Sequence, residues 1–167
     1  MSGPEQKRFP PEGSAYAACA WSFVFAAASF YWALGGTFLS RTQSPQILEL
    51  SAEPWFVAFV WFTGLLKVLA GLLALSLVQR WGDVFPRWLR RTGVWSVGLV
   101  LTLYGGANLA VRALMALGVL ETPPSMRSAA ATWHLILWDP WFLLGGVLFL
   151  AAAWSYAVVA TGTDAGR

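Results

Sequence analysis

Lys67 is the residue whose position most demands a chemical reason. It lies thirteen residues after Pro54 and thirteen before Arg80, inside an otherwise uncharged apolar run. A lysine at the centre of a bilayer costs ~2.5–3.5 kcal/mol on the insertion scale, and such residues are functional candidates by default. It needs partners, and no carboxylate is available at its depth. The eight acids (Glu5, Glu12, Glu49, Glu53, Asp83, Glu121, Asp139 and Asp164) all fall in loops, tails or helix ends. A helical rise of ~1.5 Å per residue sets Ser29, Thr102, Ser155 and Tyr156 at a similar height, with Tyr31 and Tyr104 somewhat further out. Hydroxyls can accept from an ammonium. A charged Lys67 would bind an anionic headgroup or a small acid, and a neutral one would carry a proton. The plainer alternative is that Lys67 bonds hydroxyls or backbone carbonyls, or snorkels, and simply pins the helices.

A second group lies near one end of the apolar runs. His134 is the only histidine, and Asp139 follows five residues later. Asp139 could orient the imidazole as an acid–base pair, but no nucleophile motif accompanies the two, and catalysis needs a reacting group as well as a base and its orienter. Arg112 lies 21 residues beyond Arg91, about one bilayer thickness away at ~1.5 Å per residue. It is expected to snorkel or to pair with Glu53, Glu121 or Asp139. Asn108, one turn inward, can hydrogen-bond across helices.

These residues must be positioned by four long apolar stretches, residues 14–39, 54–78, 92–120 and 140–161. A spanning helix needs about 20 apolar residues. The first and fourth carry no charge, the second only Lys67 and the third only Arg112. The expected fold is an all-α four-helix transmembrane bundle over residues 14–161, with tails at 1–13 and 162–167. Lys7 and Arg8 ahead of the first run resemble a signal peptide, but the run continues past Ser29 to Leu39, so it is expected to stay as a helix. Residues 128–138, also apolar, are expected to form a short amphipathic helix on the outer surface.

Basic residues stay cytoplasmic. Lys7, Arg8, Arg80, Arg87, Arg90 and Arg91 fall on one side, against Arg41 and Arg127 on the other. Both termini and the loop at 79–91 are therefore expected inside, where that loop can also meet anionic lipid. Glu53-Pro54-Trp55-Phe56 and Asp139-Pro140-Trp141-Phe142 open the second and fourth helices alike. In each, an acid complements the positive helix end, a proline takes the first helical position, and a tryptophan follows at the interface. The match hints at a duplicated hairpin. Gly35-Gly36, Gly105-Gly106 and Gly145-Gly146 all fall in the outer half, where small residues let helix backbones approach closely.

Composition narrows the function classes. Hydrophobic residues make up 57% of the chain and charged residues 11%, against about 25% charged in a soluble domain. The net charge of +3 gathers in one loop, so it reads as topology and not as a nucleic-acid surface. Cys19 is the sole cysteine, which excludes an internal disulfide and CxxC chemistry. One histidine without clustered Cys, Asp or Glu makes no metal site, and no phosphate loop, HExxH, nucleotide fingerprint or GxSxG appears. No cofactor is expected. The absence of a carboxylate within the helices counts against a proton-coupled drug exporter.

Four ordered segments carry a resemblance: Ser29–Thr37, Thr63–Leu75, Leu103–Leu109 and Trp133–Gly146. Together they resemble the four-helix bacterial membrane proteins of domain-of-unknown-function family 3995, over roughly Tyr16 to Trp154. The resemblance implies a bacterial four-helix membrane fold but no activity, and the expected location is the bacterial cytoplasmic membrane. It also implies that Lys67, Tyr104, Asn108, His134 and Asp139 belong to recurring motifs. The leading expectation is a non-enzymatic protein holding a lipid headgroup or small anion around Lys67, or serving beside a membrane partner or a second copy of itself. The alternatives are a proton-coupled transporter using Lys67, or a membrane enzyme using His134 and Asp139.

Overall fold

The computed structural model describes residues 11–39, 42, 45–123 and 126–164. The expectations for Lys7, Arg8 and Arg41 lie outside the described residues. The helices are α1 (Pro11–Ala33), α2 (Pro45–Leu50), α3 (Pro54–Leu75), α4 (Arg87–Ala116), α5 (Ala129–Trp133) and α6 (Asp139–Asp164). A 3₁₀ segment, Arg80–Val84, leads into α4, and a π segment, His134–Trp138, joins α5 to α6. Among the described residues there is no strand. Four helices, Glu12–Ala33, Pro54–Leu75, Arg87–Ala116 and Ala129–Val158, are long and apolar enough to cross a membrane.

The helix ends follow from local chemistry. Helix α1 stops at Ala33, short of the expected Leu39, because Gly35 takes a left-handed φ of +87°. Gly35 N–H donates to Trp32 O and Gly36 N–H to Tyr31 O, both at 2.9 Å, the paired bonds of a Schellman cap. Helix α4 ends by the same device. Gly118 has φ +74°, its N–H donates to Met115 O at 3.0 Å, and Val119 N–H donates to Leu114 O at 2.9 Å. This places the end at Ala116 and not at the expected Leu120. At its other end α4 begins at Arg87, ahead of the expected Thr92, since Pro86 is extended and forms the N-cap. Helix α3 starts at Pro54 behind an extended Glu53, as the acid–proline pattern predicts.

Residues 129–138 do not form a separate surface helix. They continue directly into α6, so the fourth span is 30 residues long. The extra length is accommodated by the π turn, which inserts one residue without breaking the helix.

Helices α1 and α6 form the middle of the bundle. Helix α3 packs on α1, α4 packs on α6, and α3 barely touches α4. Core packing joins Ala15, Ala18, Trp21 and Phe25 of α1 to Phe149, Ala152 and Ala153 of α6, with Val94 and Trp138. Trp21 stacks on Trp141, with ring centroids 5.7 Å apart, and its indole N–H donates to Trp141 O at 3.2 Å. The outward faces of α3 and α4 are apolar, with Phe59, Phe62, Leu69, Val100 and Leu103 exposed. Lipid tails are the solvent such faces suit.

Candidate functional site

The site is set by how closely α4 and α6 approach. Gly98, Gly105 and Arg112 recur every seven residues on α4, and Asp139, Gly146 and Ala153 do so on α6. A seven-residue step is close to two helical turns, so each set shares a face. A Cβ on Gly105 would fall 2.5 Å from Leu143 N and 2.8 Å from Asp139 O, and one on Gly146 would fall 2.5 Å from Thr102 N. Only glycine permits backbone contact at these points. With the two backbones in contact, the residues that end the seam, Arg112 and Asp139, are brought face to face.

Arg112 Nε lies 2.9 Å from Asp139 Oδ2, and the two side chains are 18% and 1% exposed. His134 Nδ1 lies 3.7 Å from the other carboxylate oxygen. The π turn explains the second contact. Residues five apart on an α-helix point in different directions, but a π turn closes an i→i+5 bond, here Asp139 N–H to His134 O, and returns the two to one face. Neither charge contact is an aligned hydrogen bond. Arg112 Nε and both Asp139 oxygens are buried without one, so a cationic and an anionic group retain unused hydrogen-bonding capacity.

A cavity of about 120 Å³ opens beside this group, with Arg112, Met115, Thr122, Ala131, Thr132 and Leu135 in its wall. It is an apolar recess with two threonines and one guanidinium. Such a lining suits a small ligand bearing negative charge, because an arginine fork matches carboxylate and phosphate oxygens.

The other residues expected at a site are dispersed. Lys67 lies between Gly64 and Gly71, on the face of α3 that packs on α1. Phe30 covers Gly64, and Ser22 and Phe23 cover Gly71. Lys67 Nζ donates to Thr63 O at 3.4 Å and stands 4.5 Å over the Phe25 ring. Ser29 Oγ donates to Phe25 O, 3.3 Å away within α1. Tyr31 Oη accepts from Phe38 N–H at 3.3 Å, at the capped end of α1. Thr102 lies in the glycine seam, its hydroxyl buried without a hydrogen bond. Tyr104 packs edge-on against Phe142 at 4.9 Å, and its carbonyl accepts from Asn108 Nδ2 at 2.8 Å. Ser155 is half-buried on α6, and Tyr156 lies under the Arg90 guanidinium at 5.7 Å. Lys67 thus meets a carbonyl and an aromatic face, while the hydroxyls placed at its height have separate surroundings.

By sequence Arg90 is a topology charge in a loop set to meet anionic lipid; the structure turns it inward. It is buried, donates to Ser76 O at 3.0 Å, and pairs with Asp83 at 3.2 Å. Gly82 is the signal that could have shown it. A Cβ there would collide with the Ser76 carbonyl, so the turn folds tightly against the end of α3, where Arg90 binds.

The family described as "Protein of unknown function (DUF3995)" matches residues 22–149, and the chain belongs to it. No curated protein and no solved structure gives a match.

Proposed function

We propose that this chain, as a member of that family, is a non-enzymatic multi-pass membrane protein that binds a small anion or anionic headgroup in the cavity beside Arg112. The observation that carries this reading is a guanidinium in the wall of an otherwise largely apolar recess, anchored by a buried carboxylate. Desolvation strengthens such a charge for a ligand that enters. The basic residues Arg80, Arg87, Arg90 and Arg91 lie at the opposite end of α4. The positive-inside rule then puts the cavity at the outer face of a bacterial cytoplasmic membrane. On this reading the chain works beside a membrane partner or a second copy of itself.

The test is thermal unfolding of the purified chain with added acetate, butyrate or phosphate. Anions should raise the midpoint of the wild type and leave Ala131→Phe, whose new ring fills the cavity, unmoved. No stabilisation of the wild type, or equal stabilisation of both proteins, rejects the reading.

A second reading is supported by Lys67. Its ammonium has one long hydrogen bond and one ring contact inside the helix pair, which leaves it able to take or release a proton in a transport cycle. A pH-dependent flux in proteoliposomes that disappears in Lys67→Gln would support transport, and a flux unchanged by the substitution would dismiss it.

A further inference from the structure

We infer that the ligand of the Arg112 cavity is the phosphodiester headgroup of an anionic lipid, held between Arg112 and Arg127. The inference rests on the anion-binding reading above and names the occupant. Arg127 Nε donates to Thr122 O at 3.1 Å, and Thr122 shares the cavity wall with Arg112. Arg127 is thereby fastened to a residue of the cavity wall. Arg112 is matched by Asp139, whereas Arg127 bonds a carbonyl and has no ion pair among the described residues. The Arg127 guanidinium therefore keeps donors for a ligand. A phosphodiester offers oxygens to both forks at once, which is the recognition arginine serves best.

The surroundings favour a lipid over a free anion. Leu117, Val119 and Leu120, in the turn that caps α4, are all exposed, as is Met126 of the wall. A soluble anion gains nothing from this apolar collar, but the glycerol and first methylenes of a lipid would cover it. The collar also lies just past the end of a spanning helix, at the depth where headgroup and acyl chain meet.

The full-length chain would be reconstituted in phosphatidylcholine nanodiscs with a minor fraction of phosphatidylglycerol. Native mass spectrometry would then count the lipids retained. Wild type should prefer phosphatidylglycerol by about fivefold, the preference one interfacial arginine supports. The preference should vanish in Arg127→Gln, an exposed position whose folding is checked by circular dichroism, and in Ala131→Phe. Equal retention of the two lipids by the wild type, or a preference untouched by Arg127→Gln, overturns the inference. Displacement of the retained lipid by millimolar inorganic phosphate assigns the site to free phosphate and also overturns it. If acetate or butyrate stabilises the protein while no lipid preference exists, only the lipid assignment fails. If neither effect exists, the anion site itself is wrong.

Discussion

Arg112 and Asp139 meet across the α4–α6 seam, with Nε 2.9 Å from Oδ2 around a carboxylate that is 1% exposed. Breaking a buried pair on one side leaves an unmatched charge, which costs about 3–5 kcal/mol, whereas replacing both partners by apolar residues is often neutral or stabilising. Asp139→Asn is therefore expected to lower the unfolding midpoint sharply, and Arg112→Met with Asp139→Leu to recover most of the loss. The midpoints of both variants in one detergent check this. A double variant no better than the single one would mean that the pair itself is needed for folding. Asp83→Asn is the contrast. Asp83 is 78% exposed, and Arg90 keeps its bond to Ser76 O, so the loss there should stay within ~1 kcal/mol.

Adjacent glycines should respond in opposite ways. Gly105→Ala drives a methyl into the backbone of Asp139, Phe142 and Leu143, and overpacking of this kind costs about 1–3 kcal/mol. A Cβ on Gly106 would meet only Leu143 Cδ1, at 3.7 Å. Alanine there should be neutral or stabilising by up to ~1 kcal/mol through helix propensity. Equal midpoints for the two variants would refute the close approach of α4 and α6.

Lys67→Met is expected to raise the unfolding midpoint. The substitution removes a charge that is costly at this depth and forfeits only the 3.4 Å bond to Thr63 O and the Phe25 ring contact. A more stable methionine variant would mean the lysine is kept for something other than folding. A less stable one would show Lys67 holding the α1–α3 pair together, and would remove the transport reading.

Trp138 donates its indole N–H to Thr42 Oγ1 at 3.1 Å, and that hydroxyl donates in turn to Leu39 O at 2.6 Å. Trp138→Phe breaks the relay and should cost about 1 kcal/mol. Amide exchange should quicken at Thr42, whose N–H is held by Leu39 O, before the helices loosen. Unchanged protection there would show that the connection between α1 and α2 is held by other contacts.

Topology can be read by labelling. In a Cys19→Ala background, Glu121→Cys should react with an impermeant maleimide on intact cells, and Arg87→Cys only after permeabilisation. The reverse pattern would turn the protein over and put the Arg112 cavity on the cytoplasmic side.

The long helices and the polar residues near their ends were readable from sequence because they depend on features that run along the chain. Apolar length gave the spans, and the distance from Arg91 to Arg112 put Arg112 at the end of its span, at the level of Glu53, Glu121 and Asp139, without choosing among them. The surroundings of Lys67 were not readable. Rise per residue fixes height but not direction. Thr102, Ser155 and Tyr156 lie on α4 and α6, while α3 leans on α1. The C-terminal ends of α1 and α4 read too long because Leu34, Phe38 and Leu117 are apolar enough to continue a span, and the left-handed glycines that stop it outweigh hydropathy. The π turn has no apolar-pattern signature, so residues 128–138 read as a separate helix.

Helix α4 carries an ion-paired arginine near each end, Arg90 tied to the end of α3 and Arg112 tied to the start of α6. They are 22 residues apart, about 33 Å at 1.5 Å per residue, close to the ~30 Å of a bilayer's hydrocarbon core. Because each arginine is bound to a different helix, the separation is a fixed gauge and cannot be adjusted by snorkelling. The protein should accordingly respond to membrane thickness as a rigid body, tilting in short-chain lipid and thinning long-chain lipid around it, so that acyl-chain length becomes a variable of its stability.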